Sequence, residues 1–118
     1  MIALALALAA ADLPPLPAAG TPAFAAACLA AALKSQTMRS ADRWDSEAQR
    51  TDELATRHWQ ERLAALSPEF KPRAALLRAA RAELDDDLAQ IDGYYSGVRL
   101  VNLRQAECQY ARRTGSDG

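Results

Sequence analysis

The sequence predicts an all-α fold, either a long antiparallel helical hairpin or a three-helix bundle, stapled by one disulfide. Ala accounts for 28 of the 118 residues, whereas Gly and Pro together account for 11, a balance that favours helices over a turn-rich β fold. The chain has two cysteines, Cys28 and Cys108, placed far apart in the sequence. Its formal net charge of -1 excludes a strongly basic nucleic-acid-binding protein.

Residues 1–25 have the layout of a secretory signal peptide. An uncharged apolar run fills residues 1–11, which is shorter than the roughly 20 residues that a transmembrane helix needs. A Pro-rich stretch follows, and Ala23 and Ala25 place small side chains three residues and one residue before a cleavage point. We expect cleavage after Ala25. The alternatives are an Ala/Leu helix packed on the domain and a retained membrane anchor.

Cleavage after Ala25 leaves a mature chain of residues 26–118, with 14 basic and 14 acidic side chains and no stable membrane span. Lipid attachment at Cys28 is a further alternative, because this cysteine directly follows small residues. A neutral chain has no long-range field of one sign to steer a partner. Recognition by charge therefore has to come from local patches.

The mature chain is predicted to form two helical arms. Residues 26–66 contain neither Gly nor Pro, and good helix formers dominate them. Ser67 is a natural N-cap and a proline follows it, so the chain is expected to turn here and continue as a second arm over residues 73–113. The helical domain is thus predicted over residues 26–113, and residues 114–118 form a frayed tail.

The second arm carries an apolar seam at seven-residue spacing, formed by Leu77, Leu84, Ile91 and Val98. The seam runs through the one serious break in the arm, between Gly93 and Gly97. This break either kinks one long helix or separates two helices. The first arm offers a narrower stripe of mostly small residues, so we expect the domain to need a covalent staple or a partner.

Cys28 and Cys108 supply that staple. An even pair of cysteines in an exported chain indicates a disulfide. If the arms fold back near residues 69–70, Cys28 faces a position three residues beyond Cys108, a slip of about 4.5 Å along a helix axis. The bridge is therefore expected to clasp the open end of the hairpin.

The sequence predicts a protein that is not an enzyme and that needs no cofactor or metal. His58 is the only histidine, and it is interpreted as a helix-surface residue beside Trp59. The carboxylates of residues 85–87 splay around a helix instead of converging, and phosphate-binding glycine motifs do not occur. A stripe of arginines interleaved with acids is typical of a solvent face; it comprises Arg39, Arg43, Arg50 and Arg57.

Two adjacent tyrosines, Tyr94 and Tyr95, lie between the glycines of the break. They either cap the core near Trp44 or form a partner contact, since tyrosines are efficient interface anchors. Phe70 lies in the turn between the two arms. These three aromatic residues are the candidate partner contacts.

The segment 103–108, with the sequence Leu-Arg-Gln-Ala-Glu-Cys, resembles the box near the end of the lysozyme inhibitor LprI-like N-terminal domain family. The early Cys28, the stretches at 36–38 and 44–45 and the Leu-Arg run at 76–81 are similar to other parts of that family. The resemblance spans nearly all of the predicted mature chain.

In this resemblance the family box is represented by Arg104, Glu107 and Cys108. It implies a small exported, mainly α-helical bacterial protein with disulfides, and lysozyme inhibition as one activity of the family. Three residues of this chain differ from the family pattern of Trp, aromatic residue and Asp: Leu100, Leu103 and Gln105.

The function predicted from the sequence is that of a small exported helical binding protein, with lysozyme or another cell-envelope protein as its partner, acting by steric occlusion. The alternative is a structural or chaperone-like periplasmic helical protein that self-associates as a homodimer. Both place the chain in the periplasm or outside the cell. Neither involves nucleic acid.

Overall fold

The computed structural model describes residues 15–39 and 46–115 of the chain. These residues form four helices, and no strand occurs among them. The helices are α1 (Pro22–Arg39), α2 (Ser46–Leu66), α3 (Phe70–Ala89) and α4 (Tyr94–Arg113). The predicted all-α class is confirmed, but each predicted arm is divided into two helices. The apolar run, Trp44, Arg43 and residues 116–118 of the predicted tail lie outside the described residues.

Helix α1 lies at the centre of the fold and packs against each of the other three helices. Residues 23–33 of this helix are all apolar, and a helix that is apolar on every side has to be covered on every side. Five of its alanines are accordingly buried, with exposed fractions of 2% or less: Ala25, Ala26, Ala30, Ala31 and Ala32. Such small side chains let the neighbouring helices approach α1 closely.

Helix α2 runs antiparallel to α1. Phe24, near the start of α1, packs against Trp59, near the end of α2, with ring centroids 5.8 Å apart and an edge-to-face angle of 77°. At the other end of the pair, the Ser35 hydroxyl donates a hydrogen bond to the Asp52 carboxylate at 2.9 Å. The two contacts together fix the direction and register of α2.

Helix α3 runs parallel to α1, and helix α4 runs antiparallel to it. Early in α3, Leu76 packs against the core cluster around the start of α1, whereas Asp85, late in α3, pairs with Lys34 at 2.6 Å. Cys28, in the first half of α1, is bonded to Cys108, near the end of α4. The C-terminal end of α3 and the start of α4 therefore lie beside the C-terminal end of α1.

The predicted disulfide between Cys28 and Cys108 is confirmed. It joins α1 to α4 with the two Cα atoms 5.8 Å apart, and both residues are almost fully buried. A disulfide of this kind indicates an oxidising, exported compartment. It also occupies the sulfur that a lipid anchor on Cys28 would require, so the lipid-anchored alternative is wrong for this fold.

The second predicted arm is broken at Gly93, which answers the question of kink or break. Gly93 has φ of 95°, a left-handed conformation that L side chains rarely adopt, and α4 begins at the next residue. Leu77, Leu84 and Ile91 of the seven-residue seam lie in one core cluster, and the chain reverses direction after the break. Leu84 is buried, but Tyr95 is 86% exposed, so the interpretation of Tyr95 as a core residue is wrong.

Helix α1 begins at Pro22, four residues before the predicted mature start. The Thr21 hydroxyl oxygen caps it by accepting a hydrogen bond from the Phe24 backbone N–H at 3.1 Å. The predicted cleavage point after Ala25 lies inside this helix, at residues with exposed fractions of 0% and 1%. Within the described ranges, no helix combines the length and apolar character that crossing a membrane requires.

Candidate functional site

The turn between α3 and α4 carries the most exposed pair of adjacent aromatic residues in the described part of the chain. We call residues 90–95 the tyrosine corner. Tyr94 is 57% exposed and Tyr95 is 86% exposed, and their rings meet edge to face with centroids 5.7 Å apart. The Tyr94 hydroxyl donates a hydrogen bond to the Met38 carbonyl at 3.4 Å. The corner is thus tied to the end of α1 while its rings face solvent.

The segment that leads into the tyrosine corner is acidic. Residues 83–92 contain five acidic and no basic side chains, whereas residues 70–82 contain four basic and no acidic ones. This order opposes the helix dipole, which favours acids at the start of a helix and bases at its end. Helix α3 has neither an acidic residue in its first turn nor a basic one in its last. Part of this acidic charge holds the helices together, since Asp85 pairs with Lys34 on α1 and the Asp87 carboxylate lies 4.0 Å from the Arg104 guanidinium on α4.

Phe70 lies at the opposite end of the fold from the tyrosine corner. It is 73% exposed at the first turn of α3, and the Arg73 guanidinium carbon lies 5.9 Å from the centre of its ring. Because α3 is parallel to α1 and the corner lies where α1 ends, the 18 residues of α1 separate the two places by about 27 Å. One small contact patch cannot include Phe70 together with Tyr94 and Tyr95.

Two of the three residues of the family box, Arg104 and Cys108, are buried in the fold. Arg104 is 6% exposed, and its guanidinium lies 4.0 Å from the Asp87 carboxylate on α3 and 3.8 Å from that of Glu107 one turn later on α4. Cys108 forms the disulfide. The box therefore connects α4 to α3 through charge and to α1 through a covalent bond, which is a role in holding the fold.

The acidic run at 85–87, whose carboxylates are predicted to splay around a helix, is only partly exposed to solvent. Asp85 pairs with Lys34 and Asp86 is exposed, but the Asp87 side chain is 23% exposed and is directed toward Arg104. No group of three or more metal-ligating side chains occurs within residues 15–39 and 46–115. His58 lies edge to face against Trp59, with ring centroids 4.7 Å apart. Arg50 and Arg57 are exposed, as expected of a solvent face.

A buried polar network joins three helices and has no counterpart among the sequence predictions. Asp52 on α2 is 2% exposed, and its carboxylate accepts hydrogen bonds from the Ser35 hydroxyl on α1 at 2.9 Å and from the Gln105 side-chain amide on α4 at 3.3 Å. The Thr56 hydroxyl donates to the Asp52 carbonyl at 2.8 Å. Satisfied networks of this kind fix one arrangement of the core. Local sequence patterns could not reveal it, because its members are far apart in the chain.

Replacing Asp52 by Ala is expected to lower the free energy of unfolding by about 2–3 kcal/mol, because both donors lose their buried acceptor. Asp52→Asn should cost less, since one acceptor oxygen remains. Chemical denaturation followed by circular dichroism measures the change. Glu53→Ala is the matched control: Glu53 is the exposed neighbour, and its removal should change stability by no more than about 0.5 kcal/mol. Equal effects of the two alanine variants would contradict the role of the network.

A groove of about 210 Å³ lies beside the disulfide, between α1, α2 and α4. Trp59, Ala55 and the two cysteines form its apolar part, and Arg112 is the single charged residue that lines it. None of the residues lining the groove is an acid, a histidine or a free thiol. The groove therefore has no arrangement suited to general acid–base or nucleophilic chemistry.

Comparison with known proteins leaves the chain without an assigned relative: no family model, no curated protein and no solved structure matches it. The resemblance of residues 103–108 to the lysozyme inhibitor family therefore stays a hypothesis.

Proposed function

We propose that this protein is a small exported helical binding protein that attaches to a basic protein partner through the tyrosine corner and blocks it sterically. Lysozyme, which the resemblance of the sequence suggests, is the first partner to test. The proposal places the protein in the periplasm or outside the cell. It requires no chemistry from the chain itself.

The observation that carries the proposal is the exposure of Tyr94 and Tyr95 on an ordered turn. Tyrosine is a residue of intermediate burial, and two adjacent exposed tyrosine rings offer an anchor for a partner. The turn is held by the Tyr94–Met38 hydrogen bond and by packing of the buried Gly97 against Leu88. A contact surface that is already ordered loses little conformational entropy on binding.

The acidic side chains beside the rings indicate the charge of the partner. Asp92 within the corner and Asp86 on α3 are exposed, and the exposed Arg99 follows Tyr95 by one helical turn. A basic surface would complement the two carboxylates. Complementary charges at the rim of an interface mainly accelerate association and select among partners. We therefore expect binding to weaken as salt concentration rises, because salt screens exposed charges.

Binding of the oxidised protein to immobilised lysozyme, measured by surface plasmon resonance, tests the proposal. The double variant Tyr94→Ala/Tyr95→Ala is expected to bind about 30-fold more weakly or worse, as anchor residues cost 2 kcal/mol or more when truncated. Tyr110→Ala is the matched control, since Tyr110 is also exposed, at 70%, but lies near the other end of α4.

Three outcomes are decisive when circular dichroism shows that all variants are folded. Loss of binding in the corner variant with retention in Tyr110→Ala supports the tyrosine corner. Equal binding of all three proteins removes the corner from the contact. Absence of binding by the unaltered protein removes lysozyme as the partner.

The alternative of a self-associating structural protein lacks a specific observation in its favour. It requires an Ala-rich seam that a second chain covers. In the fold, the Ala-rich helix α1 is covered by α2, α3 and α4 of the same chain. Light scattering at micromolar concentration should give the mass of a monomer, and the mass of a dimer would favour the alternative.

A further inference from the structure

The start of helix α1 restricts where an exported form of this chain can begin. Thr21 caps the helix through the Phe24 N–H, and its carbonyl accepts the first helical hydrogen bond, from the Ala25 N–H at 3.1 Å. Pro22 occupies the first helical position, which suits its fixed backbone angle. The folded unit therefore requires the chain from Thr21 onward.

A chain that began at Ala26 would lose this start. Phe24 would be removed from the core, where it is 4% exposed and packs on Trp59. The new α-ammonium group would lie at Ala26, which is 1% exposed, and a buried unpaired charge is strongly unfavourable. The fold thus disfavours cleavage between Ala25 and Ala26 as the step that produces the mature protein.

A second small-residue pattern lies directly before the cap. Ala18 and Gly20 have the spacing of the two small residues that a signal peptidase recognises, with Ala19 between them. All three residues are exposed, and they lie outside the helix. Cleavage after Gly20 would leave the cap residue Thr21 and the whole of α1 in the product.

We propose that a signal peptidase hydrolyses the Gly20–Thr21 peptide bond, so that the mature protein begins at Thr21. Water supplies the hydroxyl of the new Gly20 carboxyl group and the proton of the new Thr21 amine, and the peptide C–N bond breaks. The cut removes the hydrogen bond from the Thr21 hydroxyl to the Ala18 carbonyl, and it removes Leu16, which is half-buried and packs against the core cluster. The proposal depends on the exported status in the proposed function and not on the identity of the partner.

Expression of the full chain in a bacterial host, followed by cell fractionation, intact mass measurement and N-terminal sequencing, tests the cleavage site. The exported protein should begin with Thr-Pro-Ala-Phe. Ala18→Phe places a large side chain three residues before the bond and should abolish this cleavage. Ala19→Phe is the matched control, because the position between the two small residues tolerates large side chains and both alanines are exposed.

Each outcome bears on a separate part of the proposal. A mature start at Thr21 that is lost in Ala18→Phe and kept in Ala19→Phe supports it. An exported protein that begins at Ala26, or at any other residue, overturns the cleavage site and leaves export intact. An uncleaved chain that stays in the cytoplasm overturns both the site and the exported status.

Discussion

Removal of the Cys28–Cys108 disulfide is expected to lower the free energy of unfolding by about 4–5 kcal/mol. The bond spans a sequence separation of 80 residues, and a loop of that length gives this value when the cross-link acts on the entropy of the unfolded chain. Small domains have total stabilities of about 5–15 kcal/mol. The chain without the bond is therefore expected to be close to unfolding at 37 °C.

Urea denaturation of the oxidised and the reduced protein measures this effect without substituting any residue of the core. The variant Cys28→Ala/Cys108→Ala is the second comparison, since it cannot reform the bond. Both reduced and substituted proteins should have much lower midpoints than the oxidised protein. Unchanged midpoints would mean that the bond contributes nothing to the fold in solution.

Replacement of Phe24 by Ala is expected to lower the free energy of unfolding by about 3–5 kcal/mol, the range for a buried aromatic residue. Phe24 is 4% exposed and lies edge to face on Trp59, which is 3% exposed. Its removal leaves a cavity between α1 and α2.

The control for Phe24→Ala is the same substitution at the only other phenylalanine. Phe70 is 73% exposed, so Phe70→Ala should change the free energy of unfolding by about 0.5 kcal/mol or less. Thermal and urea denaturation of the two variants give the comparison. Similar stabilities for the two variants would place Phe24 outside the core and contradict the packing of α1 on α2.

The all-α class and the disulfide could both be predicted from the sequence. For the disulfide, the fold that brings the two cysteines together differs from the one that the sequence predicts. Ala, Leu, Arg and Glu favour helices at short range, and this local preference is visible in any sequence window. The sequence predicts the pairing of Cys28 with Cys108 because a two-arm hairpin would place these two residues close together. The pairing holds because α1 and α4 are antiparallel within a four-helix arrangement, in which the same two positions face each other.

The central position of α1 could not be recognised from helix propensity alone. Residues 26–66 contain neither Gly nor Pro, so local preference predicts one helix where the structure ends α1 at Arg39 and begins α2 at Ser46. The change in character from an apolar segment to a charged one was the available signal. An apolar helix has to be surrounded, and this requirement is set by tertiary packing.

The candidate site was predicted in part. The sequence singles out Tyr94 and Tyr95 because glycines flank them, and both are exposed; their role in binding stays a prediction. The sequence also groups Phe70 with them, because Phe70 lies in the predicted turn between the two arms, but the direction of α3 places Phe70 at the opposite end of the fold. The network around Asp52 depends on residues separated by 17 and 53 positions, which only the fold brings together.

Lysis of a bacterial cell-wall suspension by lysozyme, with the oxidised protein titrated in, is the most direct test of lysozyme inhibition through the tyrosine corner. We expect protection that increases with dose, is complete near equal molar amounts and is lost in Tyr94→Ala/Tyr95→Ala but not in Tyr110→Ala. Undiminished lysis in the presence of an excess of the folded, oxidised protein would contradict lysozyme inhibition. Protection that persists in the tyrosine double variant would contradict the tyrosine corner as the inhibitory surface.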